Sequence, residues 1–284
     1  MKRDDATPQV LLAGLTFPEG PRWREGKLWF SDFYSHRVLT VDLEGHAETI
    51  AEVPQRPSGL GWSLDGRLLV VSMLDHRVLR LDAGKLELYA DLAALATGPC
   101  NDMVVDRAGR AYVGNFGFDR HAGEAPRTTS IARIDPDGRV VRAAEELFFP
   151  NGMAITPDGK TLIVAETYAK RLTAFAIGEG GALRKRRIFA ELADCFPDGI
   201  CLDAEGAVWV ADARGNRVIR VLDGGRVART ISTGEQGTFA CMLGGEDRRT
   251  LFICTSSGSG PAQAKKRDGR IETVRVDIPG TGLP

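Results

Sequence analysis

Short apolar runs separated by polar turn residues follow one another along the whole chain. Residues 68–71, 162–164 and 208–210 are three of six such runs, and a glycine precedes five of the six by two or three positions. Most of these glycines follow Asp or Glu, which is a strong hairpin signal because glycine tolerates the positive φ of a tight turn. The pattern therefore predicts many short antiparallel strands and almost no helix.

A four-residue phrase with proline second and glycine last marks the start of each repeating unit. It is clear in four copies, such as Phe-Pro-Glu-Gly at 17–20, and degraded in two; the six copies begin near residues 17, 56, 99, 149, 196 and 238. Four short strands in each unit of roughly 40–50 residues are typical of a β-propeller. We predict an all-β, six-bladed propeller with four-stranded antiparallel blades, forming a single domain over residues 1–284. A solenoid of the same units is the alternative.

The two ends of the repeat array indicate how the ring closes. The sixth unit ends with the strand 270–276 and is one strand short, while an orphan strand at 9–12 precedes the first unit. Pairing these two segments removes the exposed sheet edges that an open ring would leave. We therefore expect an N-terminal strand to pair into the last blade and close the ring.

The third residue of the recurring phrase is the candidate for the chemistry. In a propeller the first strand of each blade lines the central channel, so residues at one repeat position converge on one ring. That ring reads Glu19, Ser58, Asn101, Asn151, Asp198 and Ala240. Oxygen ligands of this kind suit a hard divalent cation such as Ca²⁺ or Mg²⁺, and the absence of His and Cys argues against structural zinc. The alternative is that these polar residues only solvate a water-filled channel.

Charge and cysteine content indicate which partners and which cellular compartment to expect. The 37 basic and 38 acidic side chains are mixed along the chain, so neither a nucleic acid nor a membrane surface is expected as a partner. The N-terminus leads into no apolar signal segment, and no apolar run is long enough to span a bilayer. Five cysteines without a C-x-x-C spacing favour reduced thiols in a cytoplasmic protein.

Several of these motifs together resemble one family. The segments that carry the resemblance are Glu19-Gly20-Pro21 with Trp23, Asn101-Asp102, and the phrases at 149–154 and 196–200. The chain resembles the SMP-30/gluconolactonase/luciferin-regenerating enzyme family, which includes bacterial lactonases. The resemblance implies that Glu19, Asn151 and Asp198 bind one divalent cation, and that Asn101 reaches the metal or holds the substrate beside it. Ca²⁺ is the first expectation, with Mg²⁺, Zn²⁺, Mn²⁺ and Fe²⁺ as alternatives.

The resemblance and the oxygen ring together predict a metal-dependent hydrolase of a small cyclic ester, a lactonase. Asp198 is the candidate general base as well as a metal ligand, and Asn101 is the second candidate catalytic residue. No G-x-S-x-G elbow is present, so a covalent serine mechanism has no support. The alternatives are a phosphotriesterase or other esterase on the same site, and a non-catalytic ligand-binding propeller. Sugar-lactone hydrolysing relatives tend to carry arginine where this chain has Pro99, which weakens the case for a sugar-acid lactone.

One connection of the third repeat is much longer than its counterparts. Residues 116–127 lie between the second and third strands of that unit, on the rim where the ring residues begin. Long loops at a scaffold rim often cover a site. We predict that Phe116, Arg120 and His121 in this loop, and Ser58 on the ring, contact the substrate. The alternative is a solvated insertion without a role.

Overall fold

The computed structural model describes residues 7–120 and 122–282, which form six antiparallel sheets around a central channel. The predicted six-bladed propeller is confirmed. Blade one contains β2 (Pro18–Arg24), β3 (Lys27–Asp32), β4 (Arg37–Val41) and β5 (Ala47–Glu52). Blade two contains β6 (Pro57–Trp62), β7 (Leu68–Ser72), β8 (Arg77–Asp82) and β9 (Lys85–Asp91). Blade three contains β10 (Cys100–Val105), β11 (Ala111–Asn115), β12 (Thr129–Ile134) and β13 (Val140–Leu147).

The remaining three blades repeat the plan. Blade four contains β14 (Pro150–Ile155), β15 (Thr161–Glu166), β16 (Arg171–Ile177) and β17 (Leu183–Glu191). Blade five contains β18 (Pro197–Asp203), β19 (Val208–Asp212), β20 (Arg217–Val221) and β21 (Val227–Ser232). Blade six contains β22 (Gly237–Gly244), β23 (Thr250–Ser256) and β24 (Gly269–Arg275). Helical structure in the described residues is confined to α1 (Gln263–Lys266) and two 3-10 turns, Phe33–Ser35 and Glu179–Gly181.

Both chain ends are used to complete blades. Strand β1 (Gln9–Leu15) pairs antiparallel with β24, with Gln9 opposite Thr273, which confirms the expected closure of the ring. A two-residue strand, β25 (Gly280–Thr281), also pairs with β18, so blade five has five strands instead of the predicted four. So short a strand has no periodicity of its own to reveal it in the sequence. No helix in the described part of the chain has the length and apolar character needed to cross a bilayer.

Strand register separates the propeller into two rims. In blade one, Asp32 at the end of β3 lies opposite Pro18 and also opposite Arg37. Ring residue Glu19 and the β3–β4 connection therefore share one rim, which we call the mouth rim. The turns that join first to second and third to fourth strands lie at the other end of the blades, which we call the opposite rim. The long loop of blade three consequently opens at the mouth rim, as predicted.

The glycine of the recurring phrase allows the innermost strands to lie close together around the channel. A Cβ placed on Gly59 would lie 2.3 Å from the Met103 amide nitrogen, and one on Gly152 would lie 2.6 Å from the Asp198 carbonyl oxygen. On Gly199 it would lie 2.5 Å from the Ala240 Cβ. Distances this short leave no room for a side chain. The glycine thus brings the residues just before it, which are the ring residues, within reach of one another.

Candidate metal and substrate site

Four of the six ring residues meet at the floor of one cavity. Glu19, Asn101, Asn151 and Asp198 line a space of about 370 Å³ that opens at the mouth rim. Ser58 is buried on the same ring, and its Oγ donates a hydrogen bond to Asn101 Oδ1 at 3.3 Å. The first-strand position predicted from the repeat therefore does bring these side chains together, although Ser58 reaches the cavity only through Asn101.

In three blades, the polar residue that ends the second strand holds the chain that leads into the ring. Asp32 accepts hydrogen bonds from the Thr16 and Phe17 amides at 2.9 and 2.7 Å. Asp212 accepts one from the Phe196 amide at 3.0 Å, two residues before Asp198. Sequence analysis missed this repeat position, although its signal is present, since a polar residue ends every apolar second strand: Asp32, Ser72, Asn115, Glu166, Asp212 and Ser256.

A hydrogen-bond chain fixes the orientation of the two ring amides. The Thr167 hydroxyl donates to the Pro197 carbonyl at 2.7 Å, so its oxygen is left to accept from Asn151 Nδ2 at 3.1 Å. Asn151 Oδ1 is thereby turned toward the ring, where it accepts from Asn101 Nδ2 at 2.9 Å. Asn101 accordingly directs its nitrogen to Asn151 and its oxygen to Ser58.

The two ring carboxylates lie in an environment that opposes their ionisation. Burial raises the pKa of Glu19 well above its usual value, and the nearby Asp198 charge raises it further. Burial likewise raises the pKa of Asp198 to about 8, an effect opposed by the Arg120 guanidinium and reinforced by the Asp102 charge. Two such carboxylates beside the oriented Asn151 oxygen form an oxygen-only donor set that fits a hard divalent cation.

A buried ion pair lies deeper in the channel than the ring. Arg22 Nη2 and Asp102 Oδ1 are 2.8 Å apart, and both side chains are almost completely buried. Arg22 also donates to the carbonyls of Pro21 and Met103. Asp102 follows ring residue Asn101 directly, yet its charge is paired with Arg22 beneath the floor. Sequence analysis quoted Asp102 only as part of a motif, because its pairing with a residue 80 positions away has no local signal.

Aromatic side chains form the walls of the cavity. Phe116 stacks on Phe149 with ring centroids 4.4 Å apart, and Phe17 meets Phe239 edge-on at 4.7 Å. Phe118 is buried behind this layer against Phe149 and Tyr168 and does not line the cavity. Phe116 therefore lies where the sequence predicted a substrate contact.

The long loop of blade three is fixed at its base and reaches across the mouth. Asn115 Oδ1 accepts from the Gly117 amide at 3.0 Å and from Thr129 Oγ1 at 2.8 Å, which holds the two ends of the loop together. Farther along, Arg120 Nη2 donates to Ser259 Oγ of blade six at 2.7 Å. Arg120 lines the cavity, and its contact with the substrate stays a prediction. His121, the remaining predicted contact, lies outside the described residues.

A second group of possible metal ligands lies at the opposite rim. Asp42, Glu44 and His46 bring one ligand atom each within 4.8 Å of the others, in the turn between β4 and β5. Asp42 Oδ1 accepts the Glu44 and His46 amides, and Asp42 Oδ2 lies 3.0 Å from His46 Nδ1. Hydrogen bonds within an exposed turn thus explain why these three side chains lie together, and the turn is far from the aromatic cavity.

The family of the chain is shown by a match over most of its length. A family model described as SMP-30/Gluconolactonase/LRE-like region matches residues 17–257. The chain belongs to this family. Among SMP-30/gluconolactonase relatives, a pentonolactonase of Haloferax volcanii is 29% identical over 280 residues, covering 94% of this chain and 92% of the relative.

Other members of the SMP-30/gluconolactonase family agree in length and fold. A 6-deoxy-6-sulfogluconolactonase of Pseudomonas putida is 28% identical, covering 94% of this chain and 93% of the relative. The crystal structure of a calcium-binding protein, regucalcin, from Agrobacterium tumefaciens superimposes with a TM-score of 0.83 at 22% identity, covering 98% of this chain and 97% of that chain. At that identity the superposition establishes the shared fold.

Proposed function

We propose that this protein is a divalent-metal-dependent hydrolase of small cyclic esters, a lactonase. The observation that carries the proposal is the oxygen-only donor set of Glu19, Asn151 and Asp198 at the floor of a cavity with apolar walls. The pentonolactonase and sulfogluconolactonase names of two full-length relatives support the same reaction. Lactone hydrolysis adds water to the carbonyl carbon, breaks the ring C–O bond and releases a hydroxy acid.

In this proposal Glu19, Asn151 and Asp198 hold one divalent cation, with Asn101 at or beside it. Ca²⁺ is the first expectation because all the donors are oxygen, and Mg²⁺, Zn²⁺, Mn²⁺ and Fe²⁺ are the alternatives. A bound cation would supply positive charge that polarises the lactone carbonyl and makes water more acidic. The same two ring carboxylates, which disfavour each other when both are charged, would be balanced by that cation.

The side chains of the protein have separate tasks in this reaction. Asp198 accepts the proton of the attacking water at its carboxylate oxygen, as general base. Asn101 Nδ2, which donates to Asn151 Oδ1, offers a donor that can move to the substrate oxygen. Phe116 and Phe149 exclude water from the reacting atoms, which strengthens every electrostatic interaction at the floor.

The decisive test joins metal analysis to a substrate panel. We expect purified protein to hold one divalent ion per chain, and a chelator to remove both the ion and the hydrolysis of a panel of sugar, aliphatic and aromatic lactones. Glu19→Gln should lose the ion, whereas Asp42→Asn at the opposite rim should keep it. Full lactone hydrolysis after complete metal removal would contradict the proposal, and hydrolysis of a phosphotriester but no lactone would assign the site to the alternative esterase.

A further inference from the structure

Three arginines line the cavity above the ring, at a place that we call the lip, and they have no carboxylate partner among the described residues. Arg56, Arg120 and Arg214 all line the space above the ring, and none is ion-paired with a carboxylate in residues 7–120 and 122–282. The Nε of Arg56 is buried and has no hydrogen-bond partner among those residues. A buried guanidinium nitrogen without an acceptor is costly. The lip therefore has unused donors for an anion.

Two of these arginines converge on one side of the mouth. The Arg56 guanidinium carbon lies 4.8 Å from the centre of the Tyr34 ring. The Tyr34 hydroxyl donates to the Ser259 carbonyl at 2.8 Å, and Arg120 donates to Ser259 Oγ. Burial raises the pKa of the Tyr34 phenol, and the charges of both Arg56 and Arg120 oppose that rise, which places both cations near the same hydroxyl. Arg214 lies apart, 4.4 Å from the Phe196 ring centre.

The wall between lip and floor combines aromatic faces with polar groups. Phe33, Phe116 and Phe149 line it, and so do Tyr168 and Ser259. The Tyr34 hydroxyl donates to the Ser259 carbonyl, and the Thr167 hydroxyl is occupied by Pro197 and Asn151. The aromatic faces can hold the body of a substrate in van der Waals contact while a charged group on it reaches the lip.

We propose that the substrate is a lactone that carries a carboxylate, and that Arg56 and Arg120 bind this carboxylate at the lip. The inference rests on the proposed lactonase function, because it places the lactone carbonyl at the ring. Arginine suits this role since its planar fork binds carboxylates through two parallel hydrogen bonds. A cavity of about 370 Å³ is of the size that holds such a ligand.

The test compares two matched substrates. Dihydrocoumarin with a carboxylate on its benzene ring, and the same compound with a primary amide in that position, differ only in the group that meets the lip. We expect kcat/KM to be about tenfold to a hundredfold higher for the carboxylate, the range of one to two charge-assisted hydrogen bonds. Arg56→Met and Arg120→Met should each remove most of that preference, measured as the ratio of kcat/KM for the carboxylate to kcat/KM for the amide.

Two further variants separate charge from structure. Arg56→Lys keeps the positive charge and should retain part of the preference. Arg107→Met, an exposed arginine in the β10–β11 turn at the opposite rim, should retain all of it. Equal kcat/KM for carboxylate and amide in the wild type, or a preference that survives in both Arg56→Met and Arg120→Met, would overturn the inference while leaving the lactonase proposal intact.

A binding measurement keeps the inference testable if no lactone is hydrolysed. Phthalate has a flat apolar body with carboxylates and needs no catalysis, so calorimetry with phthalate probes the lip directly. We expect wild-type protein to bind phthalate about tenfold or more tightly than Arg56→Met. Binding with that difference but without lactone hydrolysis would sustain the anion subsite and refute the lactonase. Equal affinity in the two proteins would refute the subsite.

Discussion

The turns at the opposite rim and the cavity at the mouth rim differ in whether their charged side chains have partners. At the opposite rim, turn carboxylates are satisfied: Asp106 accepts the Ala108 amide at 2.9 Å and Arg110 Nε at 2.7 Å. Asp203 accepts the Glu205 amide at 3.0 Å and Arg220 Nε at 2.6 Å. The carboxylates that end the second strands at the mouth rim are satisfied in the same way, for example Asp212 by Arg217 Nε at 2.9 Å. By contrast, the two carboxylates on the cavity floor and the three guanidiniums at the lip have no ion-pair partner among the described residues.

We interpret the paired side chains as stabilising the fold and the cavity side chains as binding the proposed ligand. A satisfied carboxylate in a turn stabilises that turn, and its loss is felt in folding. Two buried carboxylates that disfavour each other's ionisation cost free energy, and the proposed cation would offset that cost. We therefore expect variants at the opposite rim to change stability and variants on the cavity floor to change turnover.

The largest effect is expected on the cavity floor. Asp198→Asn keeps the shape of the side chain but removes the proton acceptor and one charge, so kcat should fall about 10²- to 10⁴-fold. The urea midpoint of the metal-free variant should be no lower than that of the metal-free wild type, because the substitution removes one of two buried, mutually repelling charges. Asp158→Asn in the exposed turn of blade four should keep full activity. The measurement is lactone turnover at saturating metal, and full activity of Asp198→Asn under that condition would eliminate Asp198 as the base.

At the opposite rim, we expect a large effect on stability and none on turnover. Asp203→Ala removes the buried carboxylate 2.6 Å from Arg220, which keeps only the exposed Glu205 as a partner, and also removes the acceptor of the Glu205 and Ala207 amides. It should therefore lower the free energy of unfolding by about 3–5 kcal/mol. Because no cavity residue is touched, kcat/KM of the folded protein should be unchanged. Urea unfolding and lactone kinetics on the same samples check both points. A loss of kcat at constant stability would remove the distinction between the two rims.

A mouth-rim carboxylate with full partners provides an intermediate case. Burial raises the pKa of Glu166, but hydrogen bonds from Arg171, Thr173 and the Phe148 amide outweigh it and hold the pKa below its usual 4.5. Glu166→Gln should therefore lower the free energy of unfolding by about 1.5–3 kcal/mol at pH 7. Glu166 thus stabilises the fold, as the opposite-rim carboxylates do, although it lies near the ring.

The pH dependence of that difference has a definite sign. A carboxyl whose pKa is lower in the folded state stabilises the protein above its unfolded pKa, and this stabilisation is lost as pH falls through the folded value. The gap in unfolding free energy between wild type and Glu166→Gln should accordingly be full at pH 6–7 and shrink below about pH 4.5. A gap that is independent of pH would show that packing, not charge, accounts for the effect of the substitution.

The smallest effect is expected from the loop of blade three. Replacing residues 119–127 with a short glycine bridge removes Arg120 but keeps Phe116 and the Asn115 contacts at the base. The propeller and its metal content should be unaffected, and kcat/KM on a neutral lactone should fall about tenfold or less through a higher KM. Arg127→Ala should match the wild type, because Arg127 turns back to the Thr97 carbonyl. An unchanged kcat/KM after deletion would make the loop a bystander.

The repeat made the fold and the ring predictable. Six copies of one phrase fixed the number of blades, and one position within it selected Glu19, Asn101, Asn151 and Asp198. The lip was harder to predict, because Arg56, Arg120 and Arg214 come from connections of different blades and share no repeat position. Only Arg120 was singled out, through the unusual length of its loop. Contacts between distant, non-equivalent segments, such as Arg22 with Asp102, leave no periodic signal.

The pairing of β1 with β24 has a consequence for how the protein is made. Gln9 leaves the ribosome 264 residues before its partner Thr273. Until then the first strand has no neighbour in blade six, and Glu19 of blade one cannot be held in a closed circle with Asp198 of blade five. Acquisition of the proposed cation at the floor would thus follow synthesis of the last blade. Metal capture by ribosome-bound chains of increasing length would report when the last blade is completed.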